Sequence, residues 1–291
     1  MIGIIPALGA AIAWTYACFI WRSQANKFTP LAINYFKNIF AFLVFTPALL
    51  SINYKSEYES IFILLISGVI GIGLGDTFYI KSLKLIGTRK TLSIEALSPL
   101  IAAFFGKLFI EEDIGIRSWF GILIVCICLT NINIKQNKLI NENSEFINNK
   151  LKVRNYLYPL LSVICAVTAA LLSRIIFLNS NFNPFQTTEI RLLGAIIFLT
   201  IITKSKINLS MNSLNNIEKI RFIFSILLGT NLGIYLQQLV FKLLPIGIGW
   251  TLLSTSPLIS LLFAKREEGE LSKEVVISTL LLFFGLSLVI I

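Results

Sequence analysis

Two sequence motifs occur twice in this chain at the same separation. Gly71-Ile-Gly-Leu-Gly75 recurs as Gly229-Thr-Asn-Leu-Gly233, and Ser98-Pro99-Leu100 recurs as Ser256-Pro257-Leu258. The offset is 158 residues in both cases (71 to 229 and 98 to 256). Because both motifs lie in apolar segments, the chain is predicted to contain two copies of one membrane-embedded module. A binding site in such a protein is expected between the two copies.

The composition indicates that the chain folds in lipid. Of its 291 residues, 56% are hydrophobic and only 14% are charged, and the mean hydropathy is +0.81. A soluble domain of this size could not bury so much apolar surface. Apolar runs of roughly 20 residues without alternation indicate helices that cross the bilayer. The predicted fold is an all-α membrane protein with ten transmembrane helices at 2–21, 30–50, 61–80, 91–110, 118–134, 156–173, 186–203, 222–241, 247–264 and 275–291.

A polar, asparagine-rich stretch divides the ten predicted helices into two groups of five. We predict a first five-helix repeat over 1–135, a linker over 136–155 and a second five-helix repeat over 156–291. Because five is an odd number, the second repeat must enter the membrane upside down relative to the first. The two copies are therefore predicted to form an inverted repeat.

The net charge of +10 lies mostly in loops on one side of the predicted membrane domain. Loops after helices 1, 3, 5, 7 and 9 hold 18 of the 25 Lys and Arg residues, and the opposite side holds five. By the positive-inside rule, the basic loops are predicted to be cytoplasmic and both termini external, in a multi-pass protein of the plasma (inner) membrane. Charge spread over short loops fits contact with lipid head groups rather than nucleic acid.

The sequence lacks the residue patterns of common catalytic and metal sites. It has no histidine, and its cysteines lie within predicted helices without the spacing of a zinc site. There is also no nucleophile with a nearby base and no phosphate-binding loop. We therefore expect no enzymatic activity, no metal and no cofactor.

Ionisable side chains inside the predicted helices are candidates for a binding site, since each costs about 2.5–3.5 kcal/mol at a helix centre. Asp76 follows the first glycine motif, and Glu95 lies about one turn into helix 4. Lys37 in helix 2 and Arg191 in helix 7 occupy equivalent positions at an offset of 154. Arg191 is the best candidate for an anion anchor, because a guanidinium can hold a carboxylate or phosphate with two hydrogen bonds.

Structural explanations compete for each of these charged residues. Asp76 could pair with Lys37 or Lys81 and hold helices together, and Arg191 could pair with Glu189 or another acid. Lys37, Glu95 and Glu189 could also extend to the head groups, which long side chains near helix ends often do.

Uncharged polar and aromatic residues complete the predicted binding set. Tyr79 shares a helix face with Asp76, which lies three residues before it. Tyr235, Gln237 and Gln238 lie at the equivalent turn of the second repeat, and Tyr235 and Gln238 are assigned to the binding set. Trp14 and Trp250 line the cavity or pack beside it. Trp21 has the pattern of an interface anchor.

The repeated glycines and prolines are predicted to shape the helices rather than to bind a ligand. Glycines four residues apart allow close helix packing, and a proline kinks a membrane helix beside a cavity. The residues expected in these roles are Gly71, Gly75, Pro99, Gly229, Gly233 and Pro257.

In combination, these features resemble the EamA family of the drug/metabolite transporter superfamily over essentially the whole chain. They are the two groups of five helices, Trp14, the basic residues of helices 2 and 7, and Ser-Pro-Leu followed by an acidic pair (Glu111-Glu112 and Glu267-Glu268). The resemblance implies a secondary carrier with a central cavity between inverted halves, and it places Lys37 and Arg191 beside that cavity. Family members usually have cytoplasmic termini, whereas the basic loops here follow odd-numbered helices and predict the opposite insertion.

The function expected from these observations is secondary transport by alternating access, as an exporter rather than an importer. The substrate would be a small polar metabolite, such as an amino acid or a similar compound, and anionic metabolites are included. A coupling proton would have to use Asp76 or Glu95, since histidine is absent. The alternative is a lipid-linked carrier or flippase-type component. Membrane lipid is the expected partner, and the sequence leaves the oligomeric state open.

Overall fold

The structure, a computed structural model, describes residues 2–52, 57–138, 149–203, 214–256, 259 and 273–290. The regular elements in these ranges are helical, and two of them are π-helical segments, named π1 and π2. A short 3₁₀ turn (Thr46–Ser51) extends α2. In chain order the elements are α1 (Ile4–Gln24), α2 (Pro30–Phe45), α3 (Tyr58–Gly68), π1 (Val69–Gly75), α4 (Asp76–Glu95), α5 (Ser98–Ile110), α6 (Ile116–Lys138), α7 (Asn149–Asn179), α8 (Pro184–Thr203), α9 (Asn216–Ser225), π2 (Ile226–Leu232), α10 (Gly233–Leu243), α11 (Ile246–Leu253) and α12 (Lys273–Ile290).

Seven described helices are long and apolar enough to cross a membrane, and they match the predicted helices 1–4 and 6–8. Helices 5 and 10 correspond to shorter apolar helices, Ile116–Asn131 and Ile277–Ile290. The predicted helix at 247–264 begins with α11 and then runs into residues outside the described ranges. The count of ten transmembrane helices therefore stays a prediction. The seven long spans are Ile4–Gln24, Pro30–Ser51, Tyr58–Gly87, Lys90–Ile110, Arg154–Asn179, Pro184–Thr203 and Asn216–Leu243.

Local sequence determines where several of these spans begin and end. The hydroxyl of Thr29 accepts a hydrogen bond from the Ala32 N–H, and Pro30 provides a first-turn residue without a free N–H. Asn215 and Glu218 form a reciprocal capping box at the start of α9. The third span ends at Gly87, whose φ of 83° glycine adopts without steric cost.

The two halves pack against each other through equivalent contacts. Gly71 of π1 lies so close to α7 that a Cβ on it would be 2.6 Å from the Cβ of Ala169. In the other half, a Cβ on Gly229 of π2 would collide with Ala17 of α1. Ala17 and Ala169 are themselves 152 residues apart in the sequence. The first helix of each half thus packs on the glycine motif of the other half, as a pseudo-twofold relation requires.

The contacts between α6 and α12 reveal the relative direction of the halves. Gly121 lies against Val289, whereas Gly285 lies against Val125, so residue numbers rise along one helix as they fall along the other. These helices are the last of each half and run antiparallel. The described packing therefore fits an inverted repeat.

Two faces of the helical bundle can be defined by contacts between helix ends. At the N-terminal face, Gly3 lies against Leu244, and the Gln186 amide donates to the Ser51 hydroxyl over 2.9 Å. At the opposite face, called the basic face, Lys27 pairs with Glu218.

Candidate functional site

A cavity of about 110 Å³ lies in the middle of the bundle, between the two halves. The first half contributes residues of α1, π1, α4 and α5 to its wall, and the second half contributes residues of α7, α8, α10 and α11. Neither half encloses the cavity alone, so its shape depends on how the halves are placed. This is where an inverted-repeat protein is expected to hold its ligand.

Six of the nine predicted binding residues line this cavity. Two of the predicted packing glycines, Gly71 and Gly233, line it as well, because the absence of a side chain leaves their backbone at the wall. The six binding residues are Trp14, Asp76, Tyr79, Glu95, Arg191 and Trp250.

The other three predicted binding residues do not line the cavity. Lys37 is fully buried behind Asp76. Tyr235 is directed towards α8, where its ring stacks on Phe185 at 4.1 Å between centroids. Gln238 is fully buried. The neighbouring Gln237 lines the cavity where Gln238 was expected.

The structural explanation for Asp76 applies, since this carboxylate pairs with Lys37. The Lys37 Nζ lies 2.5 Å from the Asp76 Oδ2 and 3.3 Å from the Asn38 Oδ1. It also lies 5.2 Å from the centre of the Trp21 ring. The fully buried Lys37 ammonium is tolerated because the Asp76 carboxylate and the Trp21 ring compensate its charge.

Asn34 braces π1 and was not singled out by sequence reasoning. Its Nδ2 lies 2.7 Å from the Ile72 carbonyl, 3.1 Å from the Gly73 carbonyl and 2.9 Å from the Thr77 hydroxyl. A π-helical segment departs from the regular α-helical hydrogen-bond pattern and frequently marks a functional site. The Asn34 amide therefore fixes the backbone from which Asp76 projects.

Arg191 is held inside the protein without an ion-pair partner among the described residues. It is 3% exposed, and its Nε and Nη1 have no hydrogen-bond partner in the described part of the chain. Glu189, two residues earlier, is fully buried with both carboxylate oxygens equally unpartnered there. Residues two apart point to different sides of a helix, which explains why they do not pair.

The approach of α3 to α8 sets the position of Arg191. A Cβ on Gly68 would collide with the Arg191 carbonyl, and a Cβ on Gly194 would collide with the Leu65 carbonyl. A Cβ on Gly71 would lie 3.1 Å from the Arg191 Nη2. Gly68 and Gly194 lie outside the repeated motif and were not predicted from the sequence.

Four charged groups cluster around the cavity. Asp76 is close enough to both Arg191 and Glu95 to interact with them electrostatically, in addition to its pairing with Lys37. Two cations and two carboxyl groups therefore share one largely buried space. Arg191 and Glu95 both line the cavity, so both can meet a ligand.

Both halves have a helix break at the same place beside the cavity. Ala96 and Leu97 separate α4 from α5, and Ser254 and Thr255 form the equivalent turn, 158 residues later, after α11. Glu95 is the last residue of α4, so it stands at a helix C-terminus, where the last backbone carbonyls have no partner within the helix. Broken helices of this kind form the ion and substrate sites of many transporters.

Pro99 does not lie in the middle of a helix, where a proline would produce a kink. It stands in the first turn of α5, directly after the break, where a proline needs no hydrogen-bonded N–H. Its counterpart Pro257 lies outside the described residues.

Aromatic side chains form an apolar part of the cavity wall. Trp14 is 5.3 Å from Trp21 and 5.7 Å from Tyr79 between ring centroids, and Trp250 is 5.9 Å from Phe241. Trp21 is fully buried, so its prediction as an interface anchor was wrong. The pattern failed because a tryptophan near a helix end can also turn inward, here onto Gly229 of π2.

Comparison with known proteins identifies the family. The sequence model of the EamA-like transporter family matches residues 1–134 and again residues 154–291. The chain belongs to the EamA-like transporter family. It is therefore a membrane transporter of the drug/metabolite type, and the family resemblance predicted from the motifs is confirmed.

Known structures support the fold of this EamA-like protein. A protein of known crystal structure superposes with a TM-score of 0.75 over 98% of this chain and 95% of its own chain. The two sequences are only 14% identical, so the likeness concerns the fold alone. No curated protein matches the sequence.

Proposed function

We propose that this EamA-like protein is a secondary transporter that moves a small polar metabolite by alternating access through the central cavity. In this proposal the two repeats, 1–135 and 156–291, rearrange about the cavity while the linker 136–155 joins them. The observation that carries the proposal is Arg191, a guanidinium that lines the cavity and has no ion-pair partner among the described residues.

Arg191 supplies the anion-binding part of the proposed site. An unpaired cation in a protein interior is costly, and a carboxylate or phosphate on the ligand would remove that cost. Lys37 does not serve this role, because it is fully buried behind Asp76 and already pairs with the Asp76 carboxylate.

Glu95 and the aromatic residues supply the rest of the proposed site. The Glu95 carboxyl group and the C-terminal end of α4 favour a positively charged or hydrogen-bond-donating group on the substrate. Trp14, Tyr79 and Trp250 provide apolar walls beside these polar anchors, as ligand pockets usually do. Together with Arg191, these residues favour a small molecule that carries both a negative group and a positive or hydrogen-bond-donating group, such as an amino acid.

A coupling proton, where one is used, is proposed to bind Glu95 rather than Asp76. Asp76 already shares its charge with Lys37, so adding a proton would break an existing ion pair. Glu95 lines the cavity and can exchange protons with water there.

The flippase-type alternative has less support. A lipid-linked substrate needs a groove that opens sideways to the bilayer, whereas the wall of this cavity is built from eight segments of both halves. We retain export as the proposed direction, with the basic loops in the cytoplasm of an inner-membrane protein. A C-terminal tag that is labelled on intact cells would support this orientation, and labelling only after permeabilisation would contradict it.

The proposed function can be tested by comparing metabolites released by cells that produce the wild-type protein, the R191Q variant or the Y235F variant. We expect at least one small polar metabolite to accumulate outside wild-type cells and not outside R191Q cells. Y235F is the matched control, because Tyr235 packs on Phe185 away from the cavity. An identical set of released metabolites in wild-type and R191Q cells, at equal protein levels, would refute the proposal.

A further inference from the structure

A largely buried ion pair joins the two halves at the N-terminal face. The Arg174 Nε of α7 lies 2.6 Å from the Glu112 Oε1, in the connection between α5 and α6. Each side chain is only 11% exposed. Glu112 follows a predicted transmembrane helix, where a carboxylate is usually solvated, yet this one is largely shielded from water.

The same two side chains also hold the backbone of two further helices. The second oxygen of Glu112, Oε2, accepts the Ile246 N–H over 2.7 Å, at the start of α11. The Arg174 Nη1 donates to the carbonyls of Phe241 and Lys242, at 2.9 and 3.0 Å, where α10 ends. One acid from the first half therefore fastens three helices of the second half. We call this cluster, Glu112 and Arg174 with their backbone partners, the face latch.

The face latch is connected to the cavity through two aromatic residues. Phe241, whose carbonyl accepts from Arg174, packs against Trp250 at 5.9 Å between ring centroids. Trp250 lines the cavity. Val240, beside Phe241, is fully buried and faces α11, since a Cβ on Gly249 would lie 2.9 Å from the Val240 Cγ1. Separating α10 from α11 at the face latch would thus open the cavity wall towards this face.

The basic face has an ion pair of a different kind. Lys27 and Glu218 also join the two halves, with 2.6 Å between Nζ and Oε1, but their side chains are 44% and 28% exposed. Solvent screens such a pair, so it contributes little to holding the halves together. The two faces therefore differ in how firmly they are closed.

We propose that the Glu112–Arg174 ion pair is the gate that closes the cavity at the N-terminal face and must break for substrate to pass there. The inference rests on the proposed alternating access. It adds the residues that hold one face shut and the route, through Phe241 and Trp250, by which the latch is linked to the binding cavity.

A labelling experiment tests the gate without any substrate. The reporter is V240C in a chain whose Cys18, Cys126, Cys128 and Cys165 are replaced by Ala, purified in detergent and treated with a maleimide. With the face latch intact, the buried thiol should react slowly. Adding E112Q should raise the labelling rate about tenfold, since a charge-assisted bond that holds α10 and α11 is lost. The matched control K27Q removes the exposed pair and should leave the rate within about twofold.

Two further variants separate gating from a general loss of structure. R174K keeps the charge but loses the fork that reaches both Glu112 and the α10 carbonyls, so its labelling rate should fall between those of the parent and E112Q. E112Q/R174Q also removes the hydrogen bonds from Arg174 to the α10 carbonyls, so it should label at least as fast as E112Q. Equal labelling of the parent, E112Q and R174K would overturn the gate. That result would leave the proposed function standing, because metabolite release by wild-type and R191Q cells tests it separately.

Discussion

The two π-helical segments occupy equivalent positions in the two halves but are stabilised in different ways. In π1, the Asn34 amide contacts two backbone carbonyls, and the Ser162 hydroxyl donates to the Gly75 carbonyl over 3.1 Å. In π2, Gly229 packs on Ala17 and Trp21, and Asn231 donates to the Ala41 carbonyl over 2.9 Å. A polar network braces the first segment, and mainly apolar contacts brace the second.

The difference shows which features of the repeat the fold depends on. The glycines and small residues at the helix crossings are shared, because close approach of backbones tolerates no larger side chain. The carboxyl groups are not shared. Asp76 corresponds to Ile234 and Glu95 to Leu253 at the offset of 158, so both carboxyl groups of the cavity come from the first half. An approximately symmetric scaffold thus encloses an asymmetric binding site.

The largest expected loss of stability comes from breaking the Lys37–Asp76 pair of the first half. D76N leaves a fully buried ammonium without its counter-charge, and we predict a loss of about 3–5 kcal/mol in the free energy of unfolding. Denaturant titration in mixed micelles measures this loss. The double variant K37M/D76N removes the stranded charge and should recover more than half of it. A double variant as unstable as the sum of K37M and D76N would show that the pair does not act as a unit.

The next largest expected loss of stability comes from the glycines that both halves share. G71A and G229A each place a Cβ against the small residue of the opposite half, and we predict a loss of about 1–3 kcal/mol for each. The matched control is G115A, since a Cβ on Gly115 would have no neighbouring atom within 4 Å. Unfolding titrations of the three variants test this. A loss for G71A with none for G229A would show that the two crossings are not equivalent.

The sequence predicted the parts of the structure that repeat or are local. The duplicated glycine and Ser-Pro-Leu motifs indicated two modules, the apolar runs located seven long spans, and intramembrane charges identified Asp76, Glu95 and Arg191 at the cavity. The half boundaries at 1–135 and 156–291 and the binding roles of these residues remain predictions.

The remaining features depend on contacts between residues far apart in the sequence. The glycines of π1 indicated close packing, but a π-helical segment held by Asn34 requires α2 to lie beside it. The Glu112–Arg174 pair joins residues 62 positions apart, and the acidic pair that contains Glu112 does not indicate which residue it contacts. A sequence pattern also cannot distinguish Gln237 from Gln238 at the cavity wall, because the π-helical segment before α10 changes which side each residue faces.

The bracing of the two π-helical segments predicts a moderate difference between two asparagines. N34A removes a buried side chain that contacts three acceptors at π1, and we expect a loss of about 1–3 kcal/mol. N231A removes one hydrogen bond at π2 and should cost about 0.5–1.5 kcal/mol. Hydrogen exchange is the sensitive measurement, with faster exchange expected over residues 69–77 in N34A only. Equal acceleration at both segments would contradict the polar bracing of π1.

The smallest expected effect on stability belongs to Arg191, and its contrast with Arg174 is informative. Both arginines are largely buried, but Arg174 has an ion pair and two carbonyl partners, whereas Arg191 has no ion-pair partner among the described residues. We predict that R174Q lowers the free energy of unfolding by about 3 kcal/mol and that R191Q changes it by less than about 1 kcal/mol or raises it. A charge that the fold does not need, yet keeps at the cavity wall, is explained by a ligand rather than by packing. If R191Q instead cost as much as R174Q, Arg191 would be structural and the anion anchor would have to be sought elsewhere in the cavity.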